Sequence, residues 1–169
     1  FFFLSFTILF LIFCYTFNYK SLIMFKIKYF IFAFVLVSIQ AFSQEWQTDI
    51  EDSKQLASAE NKVIILVFQG SDWCGPCMKL DREIWSTKEF QDLAEDKLVM
   101  LKADFPRRKK NKLSDEQQKH NNQLAEKYNS NGYFPFVIIL DSKGNELGSM
   151  GYEKSTPKDY FKKLIAFAN

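Results

Sequence analysis

A continuous apolar run from Val63 to Phe68 is followed shortly by Cys74 and Cys77, and this combination constrains the fold more than any other part of the chain. An uninterrupted run of this length is typical of a strand that is buried on both faces of a sheet. A helix that begins at the cysteines would point unpaired backbone amides and the positive end of its dipole at the first sulfur. We therefore predict that Cys74 ionises more readily than a free cysteine and is a reactive thiolate.

The front of the chain differs in composition from the rest. It contains 12 of the 19 Phe residues, and no acidic residue occurs before Glu45. Part of this front region has the three-part layout of a secretory signal peptide, with cleavage predicted after Ser43. The three parts are the basic start Met24–Lys28, the apolar run Tyr29–Ile39 and the small residues that follow. An uncleaved membrane anchor is the alternative interpretation.

We divide the chain at this boundary into a leader, residues 1–43, and a domain, residues 44–169. Residues 1–23 of the leader lie upstream of the signal peptide. The domain has a usual size for one compact unit, and we expect a monomer. The whole chain has a formal net charge of only +2, and the leader contributes three lysines to it. A nearly neutral domain gives no reason to expect nucleic acid as a partner.

The domain contains two cysteines, Cys74 and Cys77. Export places them in an oxidising compartment such as the periplasm, where thiols are usually paired. A bridge across three positions encloses too short a loop to stabilise a fold, so a redox pair explains them better than a structural disulfide. Zinc is the alternative, but it needs about four ligands, and His120 is the one histidine of the chain. We expect no metal and no cofactor beyond the redox-active disulfide.

The hydrophobic pattern predicts the order β-α-β-α-β-α-β-β-α, in which parallel crossovers come first and an antiparallel hairpin comes last. The predicted strands are a short edge strand at Trp46-Gln47, then Val63–Phe68, Leu98–Ala103, Phe136–Leu140 and Glu146–Tyr152.

Three predicted helix boundaries matter below. The helix at the cysteines should extend from about Cys74 to Ile84 or Trp85, and Ser86 with Glu89 has the spacing of a capping box that begins the next helix. A last helix should begin at Thr156-Pro157. Its aromatic residues at helical spacing are predicted to lie in the core: Tyr160, Phe161 and Phe167.

The segment Trp73-Cys74-Gly75-Pro76-Cys77 at a strand–helix junction, together with this element order, resembles the thioredoxin superfamily, and in particular exported bacterial thioredoxin-like proteins. Phe134-Pro135 stands where that family has a cis-proline ahead of a central strand. The resemblance implies a three-layer α/β/α fold with a mixed central sheet of four to five strands.

The resemblance also implies roles for individual residues. Cys74 would be the exposed nucleophile and Cys77 the resolving thiol. Five neighbours would bind the substrate: Trp73, Gly75, Pro76, Phe134 and Pro135. Gly-Pro between the cysteines is typical of reducing members, so we expect an exported thiol–disulfide oxidoreductase that reduces client proteins and is itself recharged by a membrane-embedded electron donor. An oxidase or isomerase of the same fold, or a binding module without catalysis, remains an alternative.

The chain departs from the family pattern at three places. Phe68 occupies the position of a buried acid that relays a proton to the resolving thiol, and Met100 is assigned to the position of a nearby lysine. The segment Phe105–Asn122 is longer than the corresponding loop and contains the basic run Arg107–Lys112. This run could recognise an acidic partner, although a solvated loop is the simpler interpretation.

Two polar residues near these segments have open interpretations. Asp72 could tune the thiolate by its charge, but a solvated turn residue explains it equally well. His120 follows Lys119 and precedes Asn121 and Asn122, so we expect it to be a surface residue rather than a catalytic one.

Overall fold

The structure is a computed structural model that describes residues 45–168. The predicted signal peptide and its cleavage site lie outside the described residues. The described elements follow the predicted order: β1 (Trp46–Gln47), α1 (Ile50–Glu60), β2 (Val63–Gln69), α2 (Gly75–Leu80), α3 (Lys88–Ala94), β3 (Leu98–Asp104), α4 (Asp115–Tyr128), β4 (Phe136–Leu140), β5 (Glu146–Met150) and α5 (Pro157–Ala166).

The five strands form one mixed sheet in the order β1-β3-β2-β4-β5. Strands β1 and β2 are both parallel to β3, whereas β4 runs antiparallel to β2 and to β5. Phe68 therefore lies between Ala103 on β3 and Phe136 on β4, at the end of the sheet where β2 leads to the cysteines. The predicted mixed sheet is confirmed.

Alternate residues of the buried strands pack into two separate cores, one on each face of the sheet. Ile65 and Val67 face one core, whereas Ile64, Leu66 and Phe68 face the other. The first core is completed by side chains of α2, α3 and α5, and the second by side chains of α1 and α4. Helices thus cover both faces of the sheet, which gives the predicted three-layer α/β/α architecture.

Side-chain caps begin most of the helices. Asp49 accepts hydrogen bonds from two amides of α1, and Ser114 and Thr156 cap α4 and α5 in the same way. At α3 the prediction is off by one residue, because Thr87 and not Ser86 is the N-cap. The Thr87 hydroxyl accepts a hydrogen bond from the Phe90 amide at 3.3 Å.

The cysteine helix reaches the predicted end, but its second half has a different geometry. After Leu80 the chain continues through a π-helical turn, Asp81–Trp85, closed by a hydrogen bond of 2.8 Å from the Ser86 amide to the Asp81 carbonyl. Ile84 and Trp85 are both buried in this turn. The Trp85 ring makes edge-on contacts with three aromatic rings, those of Trp46, Phe90 and Tyr160.

The C-terminal region differs from the prediction in two details. Strand β5 ends at Met150 rather than at Tyr152. Tyr160 is buried and Phe161 is half-buried, but Phe167 exposes 40% of its surface, so its assignment to the core is wrong. Its ring instead lies against Gly148, where an added Cβ atom would approach the Phe167 Cδ1 atom to 2.1 Å. Among residues 45–168, no helix has the length and apolar character to cross a membrane.

Candidate redox site

A tight turn carries the chain from the end of β2 to the cysteines. The amides of Trp73 and Cys74 both donate to the Gly70 carbonyl, at 3.3 and 2.9 Å. The Trp73 indole folds back against Gly70, where an added Cβ atom would lie 2.3 Å from the Trp73 Cε2 atom. Gly70 is therefore needed for close packing of the indole on the backbone.

Cys74 and Cys77 form a disulfide bond at the start of α2. Cys74 is the N-cap residue, and its sulfur accepts a hydrogen bond from the Cys77 amide at 3.2 Å. This amide would stabilise a thiolate at the same position after reduction. Cys74 exposes 4% of its surface and Cys77 3%, so the expected exposure of Cys74 is wrong for the oxidised form.

The Phe134–Pro135 peptide bond is cis, as the resemblance implies. Pro135 directly precedes β4, whose first residue, Phe136, pairs with Phe68 near the end of β2. The cis-proline therefore lies at the same end of the sheet as the cysteine turn. The Phe134 ring makes an edge-on contact with the Trp73 ring, with 5.4 Å between their centroids. Gly75 and Pro76 are exposed, and Trp73, Phe134 and Pro135 are half-buried.

Residues at the end of β3 hold the cysteine turn in place. The Asp104 carboxylate accepts hydrogen bonds from the amide and the hydroxyl of Ser71, and the Trp73 indole nitrogen donates to the Phe105 carbonyl at 2.7 Å. None of these three hydrogen bonds is predicted from the sequence. The polar pair Ser71-Asp72 ahead of Trp73 was a visible indication of turn anchoring, but the distant partners have no local pattern.

Asp72 anchors the loop that follows β3. Its carboxylate accepts hydrogen bonds from the amides of Arg107 and Arg108, at 2.9 and 3.0 Å, and from the side-chain amide of Asn111 at 2.9 Å. The hydrogen bond from the Arg107 amide is the main reason that the pKa of Asp72 lies below its usual value, with burial acting in the opposite direction. Asp72 is therefore more than a solvated turn residue.

The Arg107 side chain covers the face of Trp73. Its guanidinium carbon lies 3.6 Å from the centroid of the indole ring, which is a close cation–π contact. The resemblance assigns Trp73, next to Cys74, to substrate binding. The structure places a permanent positive charge on the ring of this residue.

The strand register shows where Phe68 and Met100 lie, the two strand residues that depart from the family pattern. Phe68 is fully buried and contributes to the core on the α1 and α4 face. Met100 lies opposite Ile65 and packs into the core on the other face of the sheet from Phe68. Lys102 is nearer to Phe68, opposite Val67, but its ammonium nitrogen lies over the Trp46 ring, 5.1 Å from the centroid.

His120 differs from the expected surface histidine. Its side chain is 21% exposed, and its Nδ1 atom lies 3.7 Å from a carboxylate oxygen of Asp49. Its Nε2 atom is buried and has no hydrogen-bond partner among the described residues. No cluster of three or more metal-ligating side chains occurs within residues 45–168.

A mixed sheet covered by helices on both faces, with a disulfide at the β2–α2 junction and a cis-proline ahead of β4, defines a thioredoxin-fold protein with a dithiol–disulfide site. The family model described as thioredoxin-like matches residues 45–142. The chain belongs to this family.

The chain is also similar to named relatives. It is 35% identical over 129 residues to the disulfide bond reductase DsbH of Chlamydia pneumoniae, a match that covers 75% of this chain and 74% of that protein. A second relative is the thioredoxin-related protein DsbJ of Chlamydia pneumoniae, 29% identical over 111 residues; the match covers 64% of this chain and 31% of that protein.

Solved structures agree with this assignment. A DsbH oxidoreductase superimposes with a TM-score of 0.68 at 30% identity, covering 77% of this chain and 88% of the other. A thioredoxin from Thermus thermophilus shares the fold, with a TM-score of 0.55 at 16% identity over 75% of this chain and 88% of the other. With its Cys-x-x-Cys disulfide, the chain is a thiol–disulfide oxidoreductase.

Proposed function

We propose that this chain reduces disulfide bonds in exported client proteins through the Cys74/Cys77 dithiol. The observation that carries the proposal is the position of Cys74 as the N-cap of α2, where the Cys77 amide donates to its sulfur. An amide in this place favours the thiolate that attacks a disulfide. The Gly-Pro pair between the cysteines and the similarity to a protein named a disulfide bond reductase favour the reducing direction.

The reaction consists of two exchange steps. The Cys74 thiolate attacks one sulfur of the client disulfide, so that a Cys74–client bond forms and the other client sulfur leaves as a thiolate, which takes up a proton. The Cys77 thiolate then attacks the Cys74 sulfur, closes the Cys74–Cys77 disulfide and releases the second client thiolate, which is protonated in turn. Two electrons and two protons pass from the enzyme to the client.

Substrate binding is assigned to the residues around the disulfide. Phe134 and Pro135 would dock an extended client segment, and Trp73, Gly75 and Pro76 would form the opposite side of the site. The nearness of the cis-proline to the end of β2 and the contact between Phe134 and Trp73 support this assignment. A reductant outside the cytoplasm must be recharged, and a membrane-embedded dithiol donor would supply the electrons.

The reducing direction is tested by the reduction potential of the Cys74–Cys77 pair, measured by equilibration with glutathione. We expect a value near that of thioredoxin, about −270 mV. A potential above about −180 mV, the level of protein disulfide isomerase, would contradict the reductase and favour an oxidase or isomerase.

The chemistry is tested by trapping. The Cys77→Ser variant should accumulate mixed disulfides with client proteins, because no second thiol releases them, whereas Cys74→Ser is the matched control and should trap none. Mass spectrometry of the trapped complexes would identify the clients. Full biological function of Cys74→Ser would instead support a binding module without catalysis.

Export is tested separately from the chemistry. The chain with its leader, expressed from Met24 in a Gram-negative host, should give a periplasmic protein whose N-terminal residue is Gln44. Mass spectrometry of the mature protein measures this directly. A protein that retains the leader and sediments with the membrane would support the anchored alternative.

A further inference from the structure

The loop after β3 carries an uncommon density of positive charge beside the disulfide. The residues Arg107, Arg108, Lys109 and Lys110, here called the basic segment, are all exposed. Among residues 45–168, no side-chain carboxylate lies within salt-bridge distance of their charged nitrogens, whereas the neighbouring Lys112 pairs with Asp115 at 3.0 Å. The charge of the basic segment is therefore available to another molecule.

The fold holds this segment next to the reactive cysteine. Asp72 binds the backbone amides of Arg107 and Arg108 and makes no salt bridge with either guanidinium group, although the charge of Arg108 contributes to the lowered pKa of Asp72. Asp72 is two residues before Cys74, so their Cα atoms are at most ~7.6 Å apart. The Arg107 guanidinium is also held, on the ring of Trp73. The backbone at Arg107 and Arg108 and the Arg107 guanidinium are thus held close to the cysteine turn.

We propose that the basic segment is a docking site for an acidic segment of the protein whose disulfide reacts with Cys74. This inference rests on the proposed function. The partner is taken to be a protein because the neighbouring cysteine pair exchanges disulfides with proteins. Carboxylates that flank the partner's cysteine would pair with the basic segment while its sulfur meets Cys74. Such complementary charge accelerates encounter and selects among partners of otherwise equal reactivity.

The test compares three peptides that contain one intramolecular disulfide and differ only in their flanks: four Glu, four Lys or four Ser. At low ionic strength, the reduced wild-type protein should react with the Glu-flanked peptide about tenfold faster than with the Lys-flanked peptide, a modest value for electrostatic steering. The ratio should fall towards one as salt is raised, because a Debye length of ~3 Å at 1 M screens the attraction.

A charge-reversal variant locates the effect. Arg108→Glu, Lys109→Glu and Lys110→Glu together should abolish or invert the rate ratio. The matched control reverses three exposed lysines at the other end of the sheet: Lys97→Glu, Lys127→Glu and Lys143→Glu. It changes the net charge equally and should keep the wild-type preference. A control that loses the preference, or a reversed segment that keeps it, would overturn the proposal.

Two further measurements separate this inference from the proposed function. The Glu-flanked peptide with both cysteines replaced by Ser should bind the wild-type protein, and the reversed variant should bind it at least tenfold more weakly; equal affinities would overturn the docking site whatever the redox results. Failure to reduce even the Ser-flanked disulfide would overturn the reductase alone.

If the reversed variant does not fold, a second variant provides the same test: Arg108→Gln, Lys109→Gln and Lys110→Gln together. Binding of the basic segment to anionic phospholipid vesicles but not to the peptide would also overturn the proposal.

Discussion

The Asp104 carboxylate accepts hydrogen bonds from both the amide and the hydroxyl of Ser71, at 2.8 and 2.6 Å. Asp104 is the last residue of β3 and lies opposite Gln69, the last residue of β2. The position of the carboxylate is thus set by the paired strands, while Ser71 belongs to the turn that leads to the cysteines. This contact fixes the position of the turn before the cysteines relative to the sheet.

We expect Asp104→Ala to lower the free energy of unfolding by roughly 1–2 kcal/mol, because the Ser71 amide and hydroxyl lose a charged acceptor. Urea denaturation measures the change. Asp92→Ala is the matched control: it breaks an exposed pair with Lys88 and should cost less than about 0.5 kcal/mol. Equal losses in the two variants would show that Asp104 is an ordinary surface carboxylate.

Gly70→Ala should destabilise the protein by about 1–3 kcal/mol, because the new methyl group overlaps the Trp73 indole and forces it to move. Near-UV circular dichroism should report the altered tryptophan environment. Gly75→Ala places a methyl group where no atom lies within 4 Å. It should leave stability unchanged or raise it by up to about 1 kcal/mol, because alanine favours the helix. Similar losses in both variants would contradict the packing argument.

Acid should release the loop that Asp72 anchors, over the narrow pH range in which the Asp72 carboxylate is protonated. Hydrogen bonds from the Arg107 and Arg108 amides lower the pKa of Asp72 from 3.8, so its carboxylate accepts these bonds at every pH above that value. The stabilisation is present above pH 3.8 and is lost as the pH falls through the lowered pKa. The amide chemical shifts of Arg107 and Arg108 should therefore titrate with a midpoint below 3.8.

The Asp72→Asn variant is the control for this titration, since its side chain does not ionise. The acid transition of the two amide shifts should be absent from it. A midpoint at or above 3.8 in the wild-type protein would show that the carboxylate does not hold the loop.

The resemblance assigns an acid to the position of Phe68, and Phe68→Asp would introduce one. We expect this variant to lower the free energy of unfolding by at least ~3 kcal/mol. The reason is that a fully buried site loses apolar contacts and gains a poorly solvated carboxyl group. Phe68→Leu keeps most of the apolar volume and should cost about 1 kcal/mol. Urea denaturation at neutral pH distinguishes the two. Comparable stability of both variants would mean that the site is hydrated and can accommodate an acid.

Most of the fold could be predicted from local patterns. The run Val63–Phe68 is apolar because β2 is covered on both faces, and Thr156-Pro157 begins α5 because threonine caps and proline suits the first turn. The failures have tertiary causes. Phe167 has the spacing of a core residue, but Gly148 on β5 gives it a shallow surface position. The π-helical turn Asp81–Trp85 accompanies burial of both Ile84 and Trp85, which no spacing rule predicts.

The redox pair was predicted from its spacing, and the cis-proline from the resemblance. The supporting contacts were not predictable in either way. Asp72 and Asn111 are 39 residues apart, and Ser71 and Asp104 are 33 apart. Neither pair belongs to a repeating pattern, and each partner would be unremarkable as a surface residue.

The sequence by itself determined the cysteine pair, the buried strand before it and the order of helices and strands, because these depend on residues that are neighbours along the chain. The tertiary structure decided that Arg107 lies on Trp73 and that Asp72 holds the backbone amides of Arg107 and Arg108 near the cysteine turn. Those contacts exist because β2 and β3 are paired in parallel with Gln69 opposite Asp104, so that the turns leaving both strands meet at one edge of the sheet.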